Sequence, residues 1–260
     1  MRVTILCAFL CFTTGITNAA TDNAVPADTG ATTTNIIACD GLWFLGFNLH
    51  KDLFSDDNGL KVRQAIKYAI HREKIVKEIV ENSHVPDGVI PPGMEGFTEP
   101  GPIIFDLKLA KQLMQEAGYE ITDKRIKNIS LLHTNGVLTR AIVEELQENL
   151  KHIGIKLHPK GIDYADQEAW ANALKSGQHH LFLMGFKAEA PDDVLTFLEP
   201  MFQSTGYVNF MFLNDSRIDK LLQETSFSAN KYIRLKKIQQ IQSFIQEQIP
   251  VIGLFYIQRM

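Results

Sequence analysis

Two periods of apolar side chains take turns along this chain. Residues 44–48 read as a short strand. Val62, Ala65, Ile66, Ala69 and Ile70 then share one face at helical spacing, which predicts a helix over 60–70. A second helix is expected over 73–81. Proline and glycine crowd residues 84–105, which predicts a long loop that is functional or wraps another surface. Asp106 is placed to accept the free first-turn N–H groups of the next helix; Leu109, Ala110, Leu113, Met114 and Ala117 form its stripe, and Gly118 ends it. Ile129 and Leu131 alternate with polar residues in a strand. Leu138, Ala141, Ile142, Leu146, Leu150 and Ile153 mark a helix that closes at Gly154. Ile155 and Leu157 start another strand, and Ala169, Trp170, Ala173 and Leu174 another helix. Residues 180–186 are almost continuously apolar, which predicts a strand at the centre of a sheet. The last third continues the alternation. A helix carries Val194, Leu195, Leu198, Met201 and Phe202, and 208–213 is expected to be extended. A short helix holds Ile218, Leu221 and Leu222, a long one spans about 231–248 and stops before Pro250, and a strand follows over 251–256. Strands separated by helices of about ten or more residues imply an α/β domain.

The start of the chain breaks this texture. Arg2 is followed by an apolar or small run as far as Ile16, and Thr17, Asn18, Ala19 and Ala20 then offer small residues. The run is too short to span a bilayer and predicts a secretory signal over 1–20, cleaved after Ala19 or Ala20. Residues 21–38 are rich in Thr, Ala, Asp and Asn and are expected to be a disordered polar leader. Cys7 and Cys11 fall in the signal, so Cys39 remains alone and no internal disulfide is expected in the processed chain. Residues 36–39 superficially resemble a lipoprotein box, but the polar stretch before them cannot serve as its apolar segment.

Composition narrows the function. With 45% hydrophobic and 22% charged side chains in 260 residues, the chain is ordinary globular material. Its formal charge of −4 and lack of a basic stripe argue against a nucleic-acid partner. No HExxH helix, paired-cysteine motif or glycine-rich phosphate loop is present, and no Ser/His/Asp set stands out by spacing, so neither catalysis nor a cofactor is expected. His179 and His180 are neighbours on an expected strand and would point to opposite faces, which disfavours a shared metal.

Four stretches, in order, resemble one family. They are Gly46-Phe47-Asn48 followed by VRQAIKYAIHR over 62–72, DLKLAKQLMQEAGY over 106–119, ELQENLKHIGI over 145–155, and QIQSFIQEQIPVIGL over 240–254. They are similar to the oligopeptide- and dipeptide-binding members of solute-binding protein family 5, the capture subunits of ABC importers. The resemblance implies the second lobe of a type II periplasmic-binding-protein fold, a mixed sheet flanked by helices, over 39–260, with the first lobe absent. The four stretches are folding signals rather than chemistry. Arg63 is expected to pair with a carboxylate at the helix surface. His71 stands where the family usually carries Asp; His is a poor helix cap, so a lost cap and a ligand role are the two readings there.

The stretch MGFKAEAPDD over 184–193 resembles the family segment that edges the ligand cleft, where an Asp receives the peptide's α-ammonium and a Trp walls the pocket. By position Glu189 stands for that Asp and Phe186 for that Trp. A desolvated ammonium needs a fixed carboxylate, and an aromatic wall excludes water and strengthens the pair. The other reading is an acidic turn in which Asp192 or Asp193 caps the following helix. Tyr207, Asn209 and Phe210 lie where the family continues past the cleft, with ligand contact and packing both open. The resemblance implies peptide capture outside the cytoplasmic membrane, in the periplasm or its equivalent. The partners it implies are a peptide ligand, ABC transporter permease subunits and a separately encoded first lobe. A remnant or interaction protein that keeps only the fold, and a nickel or haem carrier on the same scaffold, are the alternatives. Ligands of such proteins are buried between two lobes that close on a hinge. One lobe offers half the contacts, so this chain alone is expected to bind peptides weakly and to expose an apolar cleft face.

Overall fold

The computed structural model describes residues 38–80, 83–98, 101 and 104–259. The expected signal, and the expected leader up to residue 37, lie outside the described residues. Among those described, five strands form one sheet: β1 (Cys39–Phe47), β2 (Ile129–Asn135), β3 (Leu157–Asp163), β4 (Leu181–Lys187) and β5 (Val251–Gln258). Their order is β3-β2-β4-β1-β5. β2 runs parallel to both β3 and β4, whereas β1 is antiparallel to β4 and β5. The sheet is therefore mixed, and β4 holds the central place that its apolar run predicts. At one corner Cys39 lies opposite Gln258, and Arg259 N donates to Ala38 O at 3.0 Å.

Alternate side chains feed two cores. Phe44, Leu132, Phe182 and Met184 pack on one face against α6 (Gln167–Lys175), α7 (Leu195–Phe202), α8 (Ser216–Ser226) and α9 (Lys231–Gln248). Leu45, Phe47, Leu131 and Leu183 pack on the other against α1 (Asp52–Ser55), α2 (Asp57–Ala69), α3 (Arg72–Ile75), α4 (Leu107–Glu116) and α5 (Val137–Lys151). Helices cover both faces, which is why the central strands read as apolar runs rather than as alternation.

The caps are those expected. Asp106 Oδ1 accepts from Leu109 N at 2.9 Å. Beyond α4, Gly118 takes a φ of 81°, and Tyr119 N returns to Met114 O at 2.9 Å. Gly154, with a φ of 84°, repeats the pattern after α5 through Ile155 N and Leu150 O at 3.1 Å. Both glycines supply the left-handed residue that lets the last carbonyls find partners.

The residues 84–105 wrap the sheet, as far as they are described. Tyr256 N donates to His84 O at 3.4 Å, Cys39 N to Pro92 O at 2.8 Å, and the Tyr256 hydroxyl to Gly88 O at 3.2 Å. Arg72 Nη1 reaches Pro86 O at 2.7 Å. The loop thereby covers the otherwise unpaired outer edge of β5.

Several local expectations are corrected. Arg63 is buried, at 6% exposure, and its partners are carbonyls rather than a carboxylate: Nε donates to Gln248 O at 2.9 Å and Nη1 to Phe54 O. The guanidinium thus ties the ends of α1 and α9 to α2, and burial pulls its pKa down to about 10. His71 does cap: Nδ1 accepts from Lys74 N at 3.2 Å, and the ring stacks on Phe105 at 4.6 Å. The helix begun by α3 widens into a π-helical stretch over Val76–Val80. Residues 208–213 form turns, not a strand. There the Asn209 side chain imitates a paired strand, accepting from Leu213 N at 2.9 Å and donating to Leu213 O at 2.8 Å. Val208, Phe210, Met211 and Leu213 are buried by the turns this produces.

Candidate functional site

β2 and β4 are neighbours, and the chain leaves their carboxyl ends on opposite sides of the sheet. After β2 it enters α5 on one face; after β4 it enters α7 on the other. In α/β sheets, a crevice opens where adjacent connections diverge in this way, and ligands bind there. A cleft of about 590 Å³ occupies that point, within the roughly 300–1,000 Å³ span of small-ligand pockets. Its floor is the ends of β2 and β4, Thr134, Asn135, Met184 and Gly185. Trp43 of β1 and the π-helical Ile79 and Val80 form one wall, and Val137 and Leu138 of α5, Tyr164 and Trp170 the rest.

Local sequence explains the walls. Gly136 stands at the cap position of α5, with no side chain accepting from the first turn, and Val137 is left 80% exposed at the rim. Trp43 stacks on Phe255 at 5.8 Å, nearly parallel. It pairs across the sheet with Gly185, where a Cβ would lie 2.8 Å from the indole nitrogen, so a side chain there would displace the ring.

The acidic turn follows β4 at this same edge. The Tyr207 hydroxyl donates to Glu189 Oε1 at 2.8 Å, and both side chains are exposed. Partial burial and the adjoining carboxylate push the Tyr207 pKa up to about 12, so the phenol keeps its proton and remains a donor. Phe186 is half-buried, its ring 5.6 Å from that of Phe197. Asn209 is 8% exposed, and its amide is fully engaged with Gln203, Ser204 and Leu213 backbone groups. Phe210 is buried against Phe182. Asp193 Oδ1 accepts from Leu195 N at 3.1 Å and from Arg234 Nη2 at 2.9 Å, while Asp192 pairs with Arg259 at 3.0 Å. The segment thus contains an acidic turn, in which Val194 rather than Asp192 or Asp193 takes the cap position of α7 while Asp193 accepts from Leu195 N, and a separate carboxylate–phenol pair. Thr134, Asn135, Trp43, Tyr164 and Trp170 were not expected at a site. The strand-to-helix turn at 134–137 is a local signal for the first two, and no local signal marks the other three.

His179 and His180 do not share a site. The His179 ring is buried beside Phe182 and Phe212, and His180 Nδ1 lies 2.9 Å from Ser130 Oγ. Among the described residues no group of three or more His, Cys, Asp or Glu side chains is arranged to hold a metal ion, and no helix is long and apolar enough to cross a membrane.

Comparison with known proteins agrees with this architecture. Heme-binding protein A of Haemophilus influenzae is 29% identical over 214 residues, 80% of this chain and 38% of that protein. Dipeptide-binding protein DppE of Bacillus subtilis is 24% identical over 85% of this chain and 41% of its own length. The chain therefore spans about two fifths of these relatives. Among solved structures, AppA of Bacillus subtilis in complex with a nonapeptide superposes with a TM-score of 0.72 at 22% identity, covering 86% of this chain and 47% of that one. DppA of Helicobacter pylori in complex with the peptide STSA gives 0.74 at 22% identity, covering 84% and 42%. These likenesses establish the fold, that of the periplasmic peptide-binding proteins. The sequence model of the bacterial extracellular solute-binding proteins, family 5 Middle, matches residues 17–209, well over half of the chain. The chain belongs to that family, whose members bind solutes rather than catalyse reactions.

Proposed function

We propose that this chain forms one wall of the ligand cleft in a peptide-capturing subunit of an ABC importer, exported beyond the cytoplasmic membrane. One observation carries the reading: the apolar cleft takes in the end of β4 at Met184 and Gly185, and Glu189 of the Glu189–Tyr207 pair follows that strand within two residues of its last residue, Lys187, although Phe186, Glu189, Tyr207 and Asn209 do not themselves line the cleft. In this reading Glu189 receives a peptide α-ammonium, and the Tyr207 hydroxyl holds the carboxylate in place. Phe186 backs the turn from the core side, and Asn209 fixes the loop that carries Tyr207. The peptide-bound state of the two solved relatives supports the same ligand class. The name of the Haemophilus relative raises haem, but no lysine or arginine lines this cleft to meet a propionate.

Calorimetry with di- to pentapeptides, backed by NMR titration for weak complexes, tests the proposal. Peptides with a free amine should bind more weakly than micromolar. N-acetylation, or Glu189→Gln, should each reduce affinity about tenfold, as loss of a charge-assisted hydrogen bond requires. Acetylation without effect removes the role of Glu189. Silence from every peptide at millimolar concentration removes the function.

A further inference from the structure

The cleft is lopsided in its chemistry. Trp43, Ile79, Val137, Trp170, Leu183 and Met184 give it apolar walls, and Glu78 is the one ionised side chain that lines it. A buried anion is costly without a cation or several donors to meet it, and no cationic side chain lines this space. The start of α5 and the neutral donors of Thr134, Asn135, Thr139 and Tyr164 are the features that would meet an anion, and none of them carries a positive charge. A helix N-terminus contributes about 0.3–1 kcal/mol to the attraction of an anion, and the Glu78 carboxylate opposes it. Burying an aromatic ring contributes more, about 1.5–3 kcal/mol. Gly185 keeps the space free by leaving the Trp43 indole where it lies.

Resting on the reading of this cleft as the ligand site, we infer that it selects a bulky apolar side chain, tolerates a positive charge beside it, and refuses an anionic one. The selectivity is a property of this chain's own wall. A peptide with an aromatic residue at the matching position is the substrate class it describes.

The chain has two tryptophans, and both line the cleft, so intrinsic emission reports its occupancy directly. Two dyes share one ring system and differ by a sulfonate: N-phenyl-1-naphthylamine and 8-anilinonaphthalene-1-sulfonate. The neutral dye should quench tryptophan emission and bind at least tenfold tighter than the sulfonate. Ala141→Phe, which fills the cleft, should weaken the neutral dye severalfold, and Glu78→Lys on the exposed π-helical stretch should narrow the gap between the dyes. Equal or tighter binding of the sulfonate, or indifference to Ala141→Phe, overturns the inference. Displacement of the neutral dye by Ala-Phe-Ala, Ala-Ala-Ala and Ala-Glu-Ala separates it from the peptide reading. Ala-Phe-Ala displacing best and Ala-Glu-Ala worst supports both. Equal displacement by all three overturns the selectivity and keeps peptide capture. Dye selectivity with no displacement by any peptide sinks peptide capture and leaves the anion-refusing cleft standing.

Discussion

His179 sits at 3% exposure with the Phe182 ring edge-on at 5.3 Å. Burial pushes its pKa down to about 4, and among the described residues neither ring nitrogen has a hydrogen-bond partner. The folded chain therefore keeps the ring neutral where an unfolded chain, titrating near 6.5, takes a proton. Above pH 6.5 both states are neutral and nothing is lost. As pH falls from about 6.5 to about 4 the unfolded state gains protons first, and stability drops by on the order of 3 kcal/mol, then levels off. Urea unfolding at a series of pH values, compared with His179→Phe, should show a difference that changes only within that window and is constant on either side of it; a difference that stays flat throughout would mean the ring is not the titrating group. Residues of this kind were hard to read in advance. Arg63 finds Gln248, 185 positions away, and Glu189 finds Tyr207, 18 positions away. Residue type announces that a partner is needed, but only the assembled fold says which one.

Elements were more legible, for a physical reason. A stripe sustained over several turns has one satisfactory burial, so α2, α4, α5 and α9 fall close to their expected spans. Local hydrogen bonding defeated periodicity in two places. At 208–213 an apolar run that looks extended is turned by the Asn209 amide, and after α3 the helix widens to a π form that no side-chain spacing announces. The two glycine caps offer a test at this scale. A Cβ at Gly118 would meet nothing within 4 Å, whereas one at Gly154 would lie 2.7 Å from the Ile121 carbonyl oxygen. Gly118→Ala should lower stability by about 1–2 kcal/mol, the conformational cost alone. Gly154→Ala should lower it by about 2–4 kcal/mol, because the backbone clash adds to that cost. Thermal unfolding of both variants checks the ranking, and equal losses would contradict it.

At the scale of the whole molecule, family and scaffold were readable from four ordered stretches, because those stretches are caps and packing stripes that recur wherever the fold does. The cleft was not readable, since its walls come from positions as distant as Trp43 and Gly185 and exist only once the sheet is ordered β3-β2-β4-β1-β5. The corner where Cys39 faces Gln258 carries a mechanical consequence. Residues 38 and 259 leave side by side from antiparallel strands, so tension between them falls on one hydrogen-bonded pair at a time, as in a zipper. Attachment at His50 and Arg259 would instead load the β1–β5 ladder along its length, in shear. Optical-tweezer traces should therefore show rupture at distinctly lower force for handles at 38 and 259 than for handles at 50 and 259. A sheet held at that corner yields to a peeling pull and withstands a sliding one.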